Sequence, residues 1–258
     1  MKIERRFTKS RQTPYEDMTF SPRVSVSRNA KGEETKRETV LAPDSWSQVA
    51  VDILAQKYMR RAGLPPNISP TGSETDARQV FRRIAECWVY WGKDGKYFDS
   101  DEDATAFSEE IQYMLAHQIA APNSPQWFNT GLHHAYGIAG PAQGLWRYNP
   151  TTHETEQIAN SYEHPQASAC YIQAIHDDLV NEGGIMDQWV REARLFKFGS
   201  GSGTNFSTLR AKKESLSGGG TSSGLLSWLK IGDRAAGAIK SGGTTRRAAK
   251  MVVLDLDH

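Results

Sequence analysis

Cys170 stands in Ser168-Ala169-Cys170-Tyr171-Ile172, a stretch with the composition of a strand. A thiol in that setting is either a small packed side chain or, where its strand ends at a cavity, a redox group, and periodicity does not separate the two. Cys87, beside the stripe Ala77, Val80, Phe81, Ile84 and Trp88, reads as structural. Two cysteines cannot build a disulfide framework or a cysteine-based zinc site by themselves. The adjacent His133 and His134 diverge on either a helix or a strand, and the seven histidines include no His-x-x-x-His or His-Glu-x-x-His spacing, so no metal site is expected.

Three further groups suit ligand binding. Ser124 lies in Pro122-Asn123-Ser124-Pro125-Gln126, where prolines on both sides argue against regular helix; a serine on so stiff a loop either presents its hydroxyl to a ligand or caps the next segment. The run Gly199-Ser200-Gly201-Ser202-Gly203 predicts a loop in the order helix, loop, strand, with the strand over 205–209. Phosphate-cradling loops run strand, loop, helix, and neither glycine signature of those folds fits, leaving a close backbone approach to a ligand or a flexible turn. Asp177-Asp178 precede a helix ending at Phe198, as functional carboxylates or as a solvated helix start. A second run, 217–224, sits before a helix beginning at Leu225, where free amides and hydroxyls suit a phosphate, and Arg246-Arg247 follow Gly242-Gly243 as candidates for a polyanion such as a triphosphate.

The elements that must carry these groups are legible in outline. Residues 1–44 predict short, partly exposed strands, with Val24 and Val26 alternating before a turn at 29–32. Asp44 is the expected cap of a helix whose stripe, Trp46 to Tyr58, ends at Gly63 and Pro65; residues 65–72 read as a linker. A second helix is expected from about Thr75, with Arg78, Arg82 and Arg83 outside, and a third behind Ser100 and Asp103. Residues 140–165 suggest a loop or hairpin excursion. Ser168 to Ile172 is expected to enter the core as a strand, and so is Met251 to His258; a core strand at the chain end predicts a piece of something larger. With 31 Lys and Arg against 30 Asp and Glu, no general nucleic-acid surface is expected. Without a long apolar run or signal-peptide core, a cytoplasmic protein is expected.

The segments Pro122 to Asn129, Ala169-Cys170, Gly199 to Ser207 and Ser241 to Lys250, in this order and spacing, resemble ribonucleotide reductases of the adenosylcobalamin-dependent, class II type. The resemblance implies an α/β architecture: an N-terminal extension and helical domain over 1–120, then the first part of a ten-stranded α/β barrel over 121–258. It implies that Ser124, Ala169, Cys170 and Gly201 line the ribonucleotide pocket, and that Cys170 is one of two thiols that become a disulfide, with its partner outside this chain. It implies that Asp178, Arg210, Arg246 and Arg247 bind a deoxynucleotide effector. Also implied are adenosylcobalamin as cofactor, an external dithiol reductant, the remainder of the reductase polypeptide and a possible homodimer as partners. The radical cysteine, in a motif of the Asn-Pro-Cys-Gly-Glu kind, does not occur in these residues, so the chain alone is expected to be inactive. The family also leads one to expect a longer insertion near 65–72. A split-gene subunit and a non-catalytic nucleotide-binding regulatory module stand as the alternatives.

Overall fold

The computed structural model describes residues 1–239 and 248–258. They form two compact units, 1–142 with 146–167, and 143–145 with 168–258.

In the first unit, β1 (Phe20–Arg28) and β2 (Glu34–Pro43) make the antiparallel hairpin that Val24, Val26 and the turn at 29–32 predict. The Asn29 side chain accepts from the amides of Lys31 and Glu33 at 2.9 and 3.0 Å, the local bonding that makes asparagine a turn residue. The next helix starts later than expected. Ser47, not Asp44, caps α1 (Gln48–Ile53), accepting from the Ala50 amide at 3.2 Å, while Asp44 takes the Ser21 hydroxyl instead. The apolar stripe then passes through a π-helical turn, Leu54–Tyr58, that stops at extended Met59.

Asp76 opens α2 (Ala77–Asp94) with a capping box, its side chain accepting from the helix and Gln79 reaching back. Ser100 caps α3 (Asp101–Ala116) by accepting from the Asp103 amide at 3.1 Å, as their spacing predicts. Phe81, Ile84, Leu54 and Trp46 form the core between these helices and the hairpin, and the buried Trp46 indole donates to the Ala116 carbonyl at 2.7 Å. Arg83 corrects the sequence expectation. It is not outside but 1% exposed, because α2 is covered on two sides and the guanidinium finds a complete set of acceptors there. The chain continues through α4 (Ser124–Asn129), α5 (Leu132–Tyr136) and the expected hairpin of β3 (Trp146–Asn149) with β4 (Glu154–Gln157). Helix at 124–129 was not expected between two prolines. Pro125 falls in the first turn, where its missing N–H costs nothing, and Asn123 supplies the cap.

The second unit alternates β5 (Cys170–Gln173), α6 (Ile185–Lys197), β6 (Gly201–Asn205), α7 (Leu225–Ala238) and β7 (Lys250–Val253), and its parallel sheet has the order β5-β6-β7. The helix ends at Lys197 and Gly199 takes φ +89°, close to the predicted stop. The glycine run, however, is not a loop. From Gly201 it is the central strand, beginning four residues before the expected one, because its neighbours leave no room for side chains. A Cβ at 201 would lie 3.0 Å from the Ala249 carbonyl oxygen, and one at 203 would lie 3.1 Å from Ile172 Cδ1. The flanking strands also depart from expectation. Neither β5 nor β7 is a core strand among the described residues; Cys170 and Met251 to Val253 are exposed, and Ile172 is 81% exposed.

On the face covered by α6, Trp189 and Ile185 pack with Phe206 and Leu225. The buried Glu192 carboxylate accepts from Ser202 Oγ at 2.8 Å and from Lys250 Nζ at 2.6 Å, and Lys250 Nζ lies 3.8 Å from the Trp189 ring centre. Burial lowers the Lys250 pKa, and Glu192 opposes that shift. Among the described residues no helix is long and apolar enough to cross a membrane.

Candidate functional site

Cys170 and Gly201 are register partners on neighbouring parallel strands. The Gly201 amide donates to the Ala169 carbonyl at 2.6 Å, which ties Ala169, Cys170 and Gly201 into one surface. That amide is committed to the ladder, so position 201 offers a ligand no free donor. A Cβ there would sit 3.0 Å from the Ala249 carbonyl oxygen and 3.6 Å from Cys170 Sγ, so glycine is what lets both neighbours close in on the strand. Cys170 is exposed and Cys87 is buried. Burial pushes the Cys87 thiol up to about 11, against a lowering hydrogen bond from the Gly131 backbone. The two thiols therefore separate chemically. With Ellman's reagent at pH 8, one thiol of the folded chain is expected to react within minutes and the second only after denaturant is added; two equally fast thiols would refute the assignment.

A second constellation lies in the connections after β5 and β6. Asp177, Asp178, Arg210, Ser217, Thr221, Ser222, Ser223 and Trp228 line one cavity of about 430 Å³. Arg210 Nε meets Asp177 Oδ2 at 2.5 Å, and its NH1 donates to the Ser215 carbonyl at 3.1 Å, so the guanidinium is held from two sides. Asp178 accepts from the Asn181 and Val180 amides at 2.7 and 3.0 Å; bonding to the Asn181 backbone and side chain lowers its pKa and keeps it ionised. Behind the hydroxyls, α7 starts at Gly224 with no side-chain cap, leaving its first amides to other partners. One guanidinium, two carboxylates, hydroxyls and an indole wall together suit a small ligand that combines an anionic group and hydroxyl donors with an apolar or aromatic part. Arg246 and Arg247 lie outside the described residues.

Ser124 belongs to the first unit, as the first residue of α4. It is half-buried, and its Oγ lies 3.2 Å from the Tyr58 hydroxyl. The carbonyls of the same helix and its cap are held by Arg83, whose NH2 donates to Trp127 at 2.8 Å and whose NH1 donates to Thr130 at 2.7 Å. Arg83 Nε in turn meets Glu74 Oε1 at 2.7 Å, and Glu74 also accepts from Tyr136 and the Arg60 amide. From sequence, Tyr58 reads only as the end of an apolar stripe and Arg83 as an outside residue, and Glu74 carries no reading. Gly131 at φ +81°, where a Cβ would overlap the Arg83 carbonyl, is a contact that only the fold shows.

Residues 21–118 match a family model described as class II vitamin B12-dependent ribonucleotide reductase, and residues 168–258 match the ribonucleotide reductase barrel domain. The whole chain aligns with proteins named vitamin B12-dependent ribonucleotide reductase, at 57% identity in Agrobacterium fabrum, 55% in Bradyrhizobium diazoefficiens and 38% in Streptomyces avermitilis. The chain belongs to the class II, vitamin B12-dependent ribonucleotide reductases, as their N-terminal region. It spans 23% of the length of these relatives. The Agrobacterium alignment extends over 287 positions against 258 residues, so that relative carries insertions this chain lacks.

Proposed function

We propose that the chain is the N-terminal part of an enzyme that reduces ribonucleotides to deoxyribonucleotides by a cobalamin-initiated thiyl radical mechanism, providing precursors for DNA synthesis. Residues 1–120 would then form the N-terminal extension and helical domain, and 121–258 would open the ten-stranded barrel. The sequential order β5-β6-β7 with a helix in each connection supports that topology. One observation carries the reading: Cys170 is an exposed thiol on the edge strand β5, held in place by its pairing with Gly201, where a ribose could lie against it. Ser124 and Ala169 would be substrate-binding residues, and Cys170 would supply reducing equivalents, pairing with a cysteine elsewhere in the enzyme and being restored by an external dithiol. A homodimer and the remainder of the polypeptide are the protein partners in this account.

Adenosylcobalamin, the cofactor that family membership implies, supplies the radical when bound. The cavity of about 430 Å³ lined by Asp178 and Arg210 is on the scale of a nucleotide, well short of a corrin with its adenosyl group, so the cofactor is assigned outside that cavity. Within this chain the residues bind, orient and reduce.

The cavity around Asp178 and Arg210 is assigned to a deoxynucleotide effector, with Arg246 and Arg247 as further phosphate ligands. Replacing Arg210 with alanine in a complete reductase carrying this segment should weaken dATP and dTTP binding by about tenfold or more, measured by calorimetry. Unaltered affinity for both would rule the effector assignment out.

A further inference from the structure

We propose that Tyr58 is a substrate-positioning residue, whose phenol fixes the Ser124 hydroxyl so that the serine proton is left for an oxygen of the bound ribonucleotide. This rests on the assignment of Ser124 to the substrate pocket. The two hydroxyl oxygens are 3.2 Å apart. Each can donate one proton and accept others, so a phenol that donates to Ser124 Oγ removes the competition for the serine's own proton. A serine hydroxyl on its own rotates among staggered positions; a fixed partner selects one before the ligand arrives.

The phenol is well placed for that task because its position is set by α4 itself. Its ring lies against Trp127, with centroids 5.5 Å apart and planes 27° apart, and against Phe128 at 5.3 Å and 41°. Both aromatic residues belong to the helix that Ser124 begins. The Tyr58 carbonyl accepts from Arg83 NH2 at 3.3 Å, and the same nitrogen donates to the Trp127 carbonyl at 2.8 Å. One buried guanidinium thus ties the main chain of Tyr58 to the main chain of the Ser124 helix. Tyr58 is also the last residue of the π-helical turn, a local departure from α geometry that recurs at functional positions. Packing alone would need the ring and not its hydroxyl, so the hydroxyl is the part that carries the proposal.

Tyr58→Phe keeps the ring and deletes only that oxygen. In a complete reductase carrying this segment, Tyr58→Phe, Ser124→Ala and the double variant are compared by KM and kcat with CDP and with CTP. Each single change is expected to raise KM about fivefold, the size of one hydrogen bond, with kcat nearly unchanged. The double variant is expected to match Ser124→Ala, since Tyr58 acts through that serine. An unchanged KM in Ser124→Ala would remove Ser124 from the pocket, and the present proposal with it. A raised KM in Ser124→Ala beside an unchanged one in Tyr58→Phe would overturn the role of Tyr58 alone. Effects that multiply in the double variant would also overturn it, by showing that the phenol acts elsewhere.

Discussion

Replacing Cys170 with serine in a complete reductase is expected to lower multiple-turnover activity with a dithiol reductant by at least about a hundredfold, the scale of losing a group that reacts in every cycle. The oxygen of serine keeps the size and much of the polarity of the thiol but cannot form a disulfide, so electrons from the external dithiol would have no route to the substrate. The position supports this role on two counts: Cys170 is exposed, and the neighbouring Ala169 carbonyl is held by the Gly201 amide at 2.6 Å. Substrate affinity should change far less than turnover, because the strand pairing that shapes the surface is made by backbone. Multiple-turnover activity that survives the substitution would remove Cys170 from the redox chemistry.

The second large effect concerns stability. Arg83 and Glu74 are 1% and 0% exposed at their side chains, and Arg83 also serves the Trp127 and Thr130 carbonyls. Arg83→Met leaves the carboxylate buried without its counter-charge and the carbonyls of α4 without their donor. Breaking such a pair costs about 3–5 kcal/mol, which corresponds to a fall on the order of 10 °C in the melting transition of the first unit. The double variant Glu74→Gln, Arg83→Met should be more stable than Arg83→Met alone, because no uncompensated charge remains. Thermal unfolding followed by circular dichroism checks both; an Arg83→Met variant that melts within a degree of the original would show that the pair is not what holds this unit.

Legibility from sequence differed by element for physical reasons. The Asn29 turn, the Ser100 cap and the stop at Gly199 depend on neighbours in the chain and were readable at once. Arg83 was misplaced because a helical stripe reports only apolar contacts, whereas this arginine is buried by acceptors from residues as far away as Thr130. The run from Gly201 reads as a loop because glycine weakens strands in general. It forms a central strand because the Ala249 carbonyl and Ile172 close in on both sides, a tertiary fact with no local signature. Pro125 misled in a similar way, since a proline that ends one helix can equally begin another. Of the candidate site, Asp178 is legible from its place before a helix, whereas Arg210 enters only through the family resemblance; that they line one cavity with the hydroxyls of residues 221–223 is a fact of the fold alone.

The most direct test is a structure of a complete reductase carrying this segment, determined with a ribonucleotide substrate bound. The account predicts the ribose against Cys170 Sγ, and Ser124 Oγ within hydrogen-bonding distance of a bound ribonucleotide. A substrate bound elsewhere, with no atom in contact with Cys170 or Ser124, would contradict it.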